Sequence, residues 1–277
     1  MPIRLGANRY GKAENRVVRI HRDTARHEIT DLSVSTHLRG SFDAAHTTGD
    51  QAAVLPTDTQ RNTVFAFAKE HRVRPIEDYA LRLARHFVET VPAVTGALVE
   101  VEEYRWNRID GHDHAFTRDG GWVRTTAVDV EGDTAVVTSG VTDLALLKST
   151  GSEFHGFHTD RYTTLAETKD RVLATSLTAT WRYGTTDVAW DAVHADVLAT
   201  LTGSFARIHS LALQQSLFGM GKAVLETHAE IKEISFVAPN KHHVLVDLTP
   251  FDLENPGEVF IATDRPFGLI EVSVVRE

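Results

Sequence analysis

Cysteine is absent from all 277 residues. That excludes structural disulfides, cysteine nucleophiles, thiolate zinc sites and Cys-ligated iron–sulfur clusters. It also suits a reducing compartment. Positive charge is in deficit: 29 Lys and Arg stand against 38 Asp and Glu, a formal net charge of −9. A nucleic-acid partner needs a basic footprint, so none is expected, although a local basic pocket is still allowed. No apolar run reaches the roughly 20 residues of a membrane span, so no membrane partner is expected either. The N-terminal MPIRLGANRYGKAENR lacks the apolar core of a signal peptide. The C-terminal SVVRE is not a peroxisomal Ser-Lys-Leu address. The expected location is the cytoplasm.

Several catalytic signatures are missing too. FGMGKAVLETH has Ser216 where a phosphate loop needs its first Gly, and Ala223 where it needs a hydroxyl. Its Gly-x-Gly lies inside a helical pattern and reads as structure. There is no Gly-x-Ser-x-Gly elbow. Histidine is plentiful, with 15 copies. GHDHAF sets His112 and His114 two apart, on one face if the segment is a strand, and FHGFH sets His155 and His158 three apart. Neither pair has a local carboxylate at characteristic ligand spacing, so they read as surface or hydrogen-bonding histidines, and no metal site is expected.

What is present is a repeated order of elements. Residues 16–22 and 28–37 alternate apolar and polar as strands do. TDTQRNTVFAFAKEH opens like a helix, with Thr57 or Asp58 placed to cap it. A second helix starts after Pro75, with Ile76, Tyr79, Ala80, Leu83 and Phe87 at helical spacing. Three strand-like segments follow Pro92. The second half begins with a strand at 171–184. Two apolar stripes follow, Val193/Val197/Leu201/Phe205 and Leu213/Leu217/Val224/Leu225. Then come ISFVA, HHVLVDL, EVFIATD and GLIEVSVVRE, all strand-like, with the polar loop APNKHH separating the first two. The order is β-β-α-α-β-β twice over. Helices in pairs between hairpins argue for an α+β fold with antiparallel sheets, each carrying a helix pair on one face. The expected division is into residues 1–140 and 141–277.

Four stretches together resemble urate oxidases: RYGKAENRVVRI near the start, PTDTQRNTV from 56, KSTGSEFHGFHTDRYTTLAETKDRVLAT from 148, and APNKHH from 238. They run through nearly the whole chain in the family's order. The resemblance implies two tandem tunnelling-fold (T-fold) domains, four chains around a tunnel, and active sites shared between subunits. It implies oxidation of urate by O2 and water to 5-hydroxyisourate and H2O2, with no metal and no organic cofactor. It implies that Lys12 in Tyr-Gly-Lys is the active-site lysine, and that Thr57 and Asp58 are lent by a neighbouring subunit. Phe154 resembles the phenylalanine that stacks on the purine, and Leu165 a pocket wall. Arg171, with Leu213 and Gln214, would grip opposite edges of urate, and Asn240 and His242 would stand above the ring.

The chemistry suits these residue types. Urate is flat, anionic and rich in N–H and C=O groups. An arginine fork makes two parallel charge-assisted hydrogen bonds to such an edge, and a glutamine amide offers a donor and an acceptor. Urate is itself the reductant, so the protein need only supply a base and a polar slot for O2, peroxide or water. Lys12, Thr57 and His242 are the expected proton relay, with Lys12 the base; a lysine serves so only where burial or a nearby cation lowers its pKa. Taken singly, Arg171 reads as a solvated or ion-paired strand arginine, Phe154 and Leu165 as core, Gln214 as helix surface and Thr57 as a cap. The sequence also departs from the family's usual pattern at His155, where tryptophan is common, and at Pro56, where a small apolar residue is usual. The rivals are a T-fold protein acting on another purine or a pterin, and a purine-binding oligomer without chemistry. Gln214 at the anchor position disfavours the first, and the presence of Lys12, Thr57 and His242 disfavours the second.

Overall fold

Alternating apolar residues draw the chain into long strands. In the computed structural model, which describes residues 3–277, β1 (Tyr10–His21) and β2 (Glu28–Gly40) form an antiparallel hairpin. After a short α1 (Asp43–Thr47) come the paired helices α2 (Thr57–Glu70) and α3 (Ile76–Thr90). Then follow β3 (Val94–Tyr104), a small ribbon of β4 (Trp106–Arg108) with β5 (Phe116–Arg118), β6 (Val123–Glu131) and β7 (Thr134–Lys148). The remaining elements are β8 (Leu173–Tyr183), α4 (Trp190–Arg207), α5 (Leu213–Thr227), β9 (Ile231–Leu245), a 3-10 turn at Thr249–Phe251, and β10 (Phe260–Val275).

The chain separates into two compact units. The first runs to Gly140 and takes in Arg182–Asp191; the second holds Val141–Trp181 and Ala192–Glu277. In the first unit the strand order is β1-β2-β3-β6-β7, and the β1/β2, β2/β3 and β3/β6 pairs are antiparallel. In the second the order is β7-β8-β9-β10, with β9 and β10 antiparallel. This is the α+β architecture with helix pairs that the element order predicts.

Helices α3 and α5 bury the stripes their spacing predicts. Ile76, Tyr79, Ala80, Leu83 and Phe87 of α3 are fully buried against β3 and β6. Each large side chain there contributes about 1.5–3 kcal/mol. The Tyr79 hydroxyl donates to Val64 O of α2 at 2.7 Å, locking the helix pair, and burial raises its phenol pKa. In the second unit, Leu213, Leu217, Val224 and Leu225 of α5 are buried, and α5 packs on β9 and β10.

Three local expectations are corrected. Thr57 and Asp58 do not cap α2: the N-cap is Pro56 and no side chain bonds the free N–H groups. Proline at that place leaves Thr57 as the first helical residue. His112 and His114 lie in the turn between β4 and β5 rather than on a strand, where their rings meet edge to face at 4.5 Å. And APNKHH is not a loop between strands. It lies within β9, and the two segments after it join as β10, so four apparent strands are one long hairpin. The irregularity is on the opposite strand: Asn240 pairs with Gly268 and His242 with Thr263, so residues 264–267 bulge opposite Lys241 alone. A bulge of this kind re-aims side chains without ending the sheet.

Candidate functional site

In the first unit, Tyr-Gly-Lys and Pro-Thr-Asp are held at one corner. Lys12 pairs with Thr36 across the hairpin. The Thr36 hydroxyl donates to Oε1 of the fully buried Gln60 at 2.8 Å, one turn into α2. The Tyr10 hydroxyl donates to Leu55 O at 3.0 Å, two residues before Thr57, while its ring meets Phe42 edge-on at 4.8 Å. Lys12 itself is half-buried, at a register shift between Lys12 and Asn15. Asp58 is turned along its own helix, pairing with Arg61 at 2.6 Å and accepting from Asn62.

Gly11 shows why this strand tolerates no side chain before Lys12. A Cβ there would stand 1.6 Å from Thr36 O, so any other residue must push β1 away from β2. We expect Gly11→Ala to cost about 1–3 kcal/mol of stability. Because Lys12 moves with the strand, we also expect kcat to fall by about tenfold or more. Thermal melts and steady-state kinetics on the same sample check both; unchanged values would show that the hairpin adjusts without disturbing Lys12.

In the second unit, Phe154, Arg171 and the start of α5 hang on one buried point. Ser152 and Ser210, both fully buried, form a parallel bridge. Ser210 N donates to Gly151 O at 2.9 Å and Glu153 N to Ser210 O at 2.7 Å. Arg171 N donates to Ser152 O at 2.9 Å, and Phe154 bridges Thr168 through both backbone groups. The Ser216 hydroxyl donates to Ser210 Oγ at 2.8 Å, which fixes the first turn of α5. Leu213 at that helix start is buried, whereas Gln214 beside it faces outward.

The side chains around this point fit a flat anion. The Arg171 guanidinium carbon lies 5.1 Å from the centre of the Phe154 ring, and Phe157 stacks on the same ring at 4.8 Å and 17°. Burial lowers the Arg171 pKa, and its buried Nε has no partner among the described residues. A buried guanidinium N–H without an acceptor is costly, and an anionic ligand edge is the natural acceptor.

Asn240 and His242 are two apart on β9 and therefore share a face. Lys241 and His243 line a cleft of about 550 Å³ together with Leu146 and Thr175, and neither Asn240 nor His242 lines it, as alternation along the strand requires. Leu165 lies in an exposed segment and is itself 63% exposed.

Sequence reasoning missed Ser152, Ser210 and Ser216. Serines carry no periodic signal, and nothing local distinguishes a buried pairing serine from a surface one. It also missed Glu153 and His209, which are far apart in the chain and meet at 2.5 Å. Among the described residues no group of three metal-ligating side chains converges, and no helix is long and apolar enough to cross a membrane.

Comparison with known proteins gives one consistent result. The family model described as Uricase matches residues 8–129 and 137–271. A curated uricase of Arthrobacter globiformis is 54% identical over 99% of this chain and 90% of its own length. A uricase of Aspergillus flavus is 35% identical, with 98% and 96% covered. The crystal structure of the Arthrobacter globiformis uricase superposes with a TM-score of 0.98 at 53% identity, covering all of this chain and 96% of that one.

Proposed function

Because the chain belongs to the uricase family, we propose that the residues described above serve urate oxidase sites that are shared between neighbouring subunits. The enzyme oxidises urate with O2 and water, giving 5-hydroxyisourate and H2O2. In this reading Phe154 stacks on the purine, with Leu165 closing a wall. Arg171 grips one edge, and Gln214 with Leu213 the other. Asn240 and His242 stand over the ring, where O2 or water sits. Lys12, Thr57 and Asp58 come from the first unit. Thr57 and Asp58 are supplied by a neighbouring subunit of a homotetramer.

The observation that carries this reading is the shared anchoring of Phe154, Arg171 and the α5 start on Ser152 and Ser210. It holds an aromatic face, a guanidinium with an unsatisfied N–H and an outward amide in one fixed frame. Such a frame reads a planar anion by its edges, and rejects analogues that leave those groups unpaired.

The division of labour follows from the chemistry. Lys12 accepts a proton from urate, which makes the ring electron-rich. Thr57, free of helix capping, passes the proton, and His242 orients Lys12 and shares the shuttle. Asn240 and Thr57 hold O2, and later water, against the ring. Electrons move from urate to O2, so the oxidant is reduced to peroxide while water supplies the new hydroxyl. The substrate supplies both electrons, and no metal or organic cofactor enters the scheme. The cytoplasm is the proposed compartment, in keeping with a cysteine-free chain.

The test is direct. Chelator-treated protein in air is expected to consume urate and O2 and release H2O2 in equal amounts. Light scattering is expected to give the mass of four chains. Urate binding without consumption would replace this reading with a purine-binding protein.

A further inference from the structure

The geometry points to Glu153 as a positioning residue for urate: by bridging His155 and His209 it sets the gap between the Phe154 ring and the Gln214 helix. The inference rests on the reading that Phe154 and Gln214 hold the purine.

Glu153 Oε2 lies 2.7 Å from His155 Nε2, and Oε1 lies 2.5 Å from His209 Nε2. An ionised carboxylate can only accept, so both imidazoles present an Nε2–H to it. His155 follows Phe154 directly. His209 lies on the short segment that leads through Ser210 into α5. The Glu153 backbone already donates across the same gap to Ser210 O. Thus one residue ties the stacking segment to the helix start twice, once by backbone and once by side chain. The second tie matters because Ser152 and Ser210 form an isolated bridge and not a ladder. The Phe154–Thr168 bridge ties Phe154 to its own neighbouring segment, so across the gap to α5 the side-chain clamp is what reinforces the backbone contacts at Ser210.

Several neighbouring charged groups are engaged elsewhere. Asp170 accepts from Thr150 and Gly151 N, Glu167 accepts from Gly156 N, and Lys148 donates to Ile208 O. Arg171 stands at the Phe154 ring. The hydrogen bonds from His209 and His155 hold the Glu153 carboxyl below its usual range. With a lowered folded pKa, the clamp is complete above the ordinary carboxylate range and lets go only as pH falls through the lowered value.

Glu153 touches no reacting atom in this picture, so its removal should act on binding and not on the chemical step. Glu153→Ala is expected to raise the urate KM about tenfold while kcat stays within about twofold. The urate Kd measured without O2 should rise by the same factor. Glu153→Gln should fall between, because its amide oxygen accepts from one imidazole only. His209→Ala should reproduce part of the effect, and adding it to Glu153→Ala should add little, as for partners in one contact. Phe154→Ala is run in parallel. A Glu153→Ala or His209→Ala protein with unchanged KM, beside a raised KM for Phe154→Ala, overturns the clamp. So does a loss confined to kcat. If Phe154→Ala also leaves KM unchanged, the purine reading of this frame fails and the clamp falls with it.

Discussion

Lys12→Met is expected to lower kcat for urate oxidation by roughly 10²–10⁴, the contribution of a positioned general base. Methionine keeps the length and the apolar stem but accepts no proton. The strand around it should hold, because Gly11 and Thr36 fix the register, Gln60 ties it to α2 and Tyr10 ties it to the segment before α2. Urate binding measured without O2 should therefore stay within about threefold, so that kcat and kcat/KM fall together. Stopped-flow loss of urate absorbance gives the rate, and equilibrium dialysis under nitrogen gives the binding. Full activity in Lys12→Met would remove Lys12 from the relay. A large loss of binding with kcat intact would make it a substrate anchor instead.

The largest expected effect on stability lies away from that corner. Glu77, the second residue of α3, is fully buried, and Arg124 of β6 is 4% exposed. Arg124 Nη2 donates to Glu77 Oε2 at 2.8 Å and Nη1 to Asp191 at 2.6 Å. The Ser139 hydroxyl donates to Glu77 Oε1 at 2.6 Å. Glu103 lies 3.9 Å from the same guanidinium and pairs with Arg74 at 2.9 Å. Burial opposes the Arg124 charge, but Glu77, Asp191 and Glu103 outweigh it and raise its pKa. Burial likewise pushes the Glu103 carboxyl up, against the pull of Arg74 and Arg124.

Arg124→Met should cost about 3–5 kcal/mol, because it leaves the Glu77 carboxylate buried with one serine for company. The melting temperature should drop by about 10 °C. The loss should grow as pH rises through the carboxylate range, since burial already raises the Glu103 carboxyl and removing Arg124 takes away one of the charges that pull it down. Adding Glu77→Leu should return much of the stability, as replacing both members of a buried pair often does. Denaturant melts of the two variants across pH decide this. A loss below about 1 kcal/mol in Arg124→Met would show that water or Asp191 takes over the role.

Particular elements show where sequence reading succeeded and where it stopped. The α3 stripe was legible because helical periodicity and burial are the same fact seen twice. The β-β-α-α-β-β order was legible for the same reason. The β9–β10 hairpin was not read as continuous. Pro239 and the polar Asn-Lys-His-His run look like a break, and the same is true of Asp-Arg-Pro on β10. Only pairing reveals that the two irregular stretches lie opposite each other, so that one bulge accommodates both. Thr57 was read as a cap because caps are local, yet Pro56 took the place.

By itself the sequence determined the fold class, the family and the identity of the residues proposed for the chemistry. The fold class is written in local periodicity, and the family and the proposed residues in short motifs that resemble those of urate oxidases; each needs only neighbours along the chain. Tertiary structure alone decided what holds those residues in place. Ser152 meets Ser210, Glu153 meets His209, and Glu77 meets Arg124 across separations of tens of residues. A hydrogen bond's worth depends on burial and on a partner at about 3 Å, and neither can be read until distant segments are brought together.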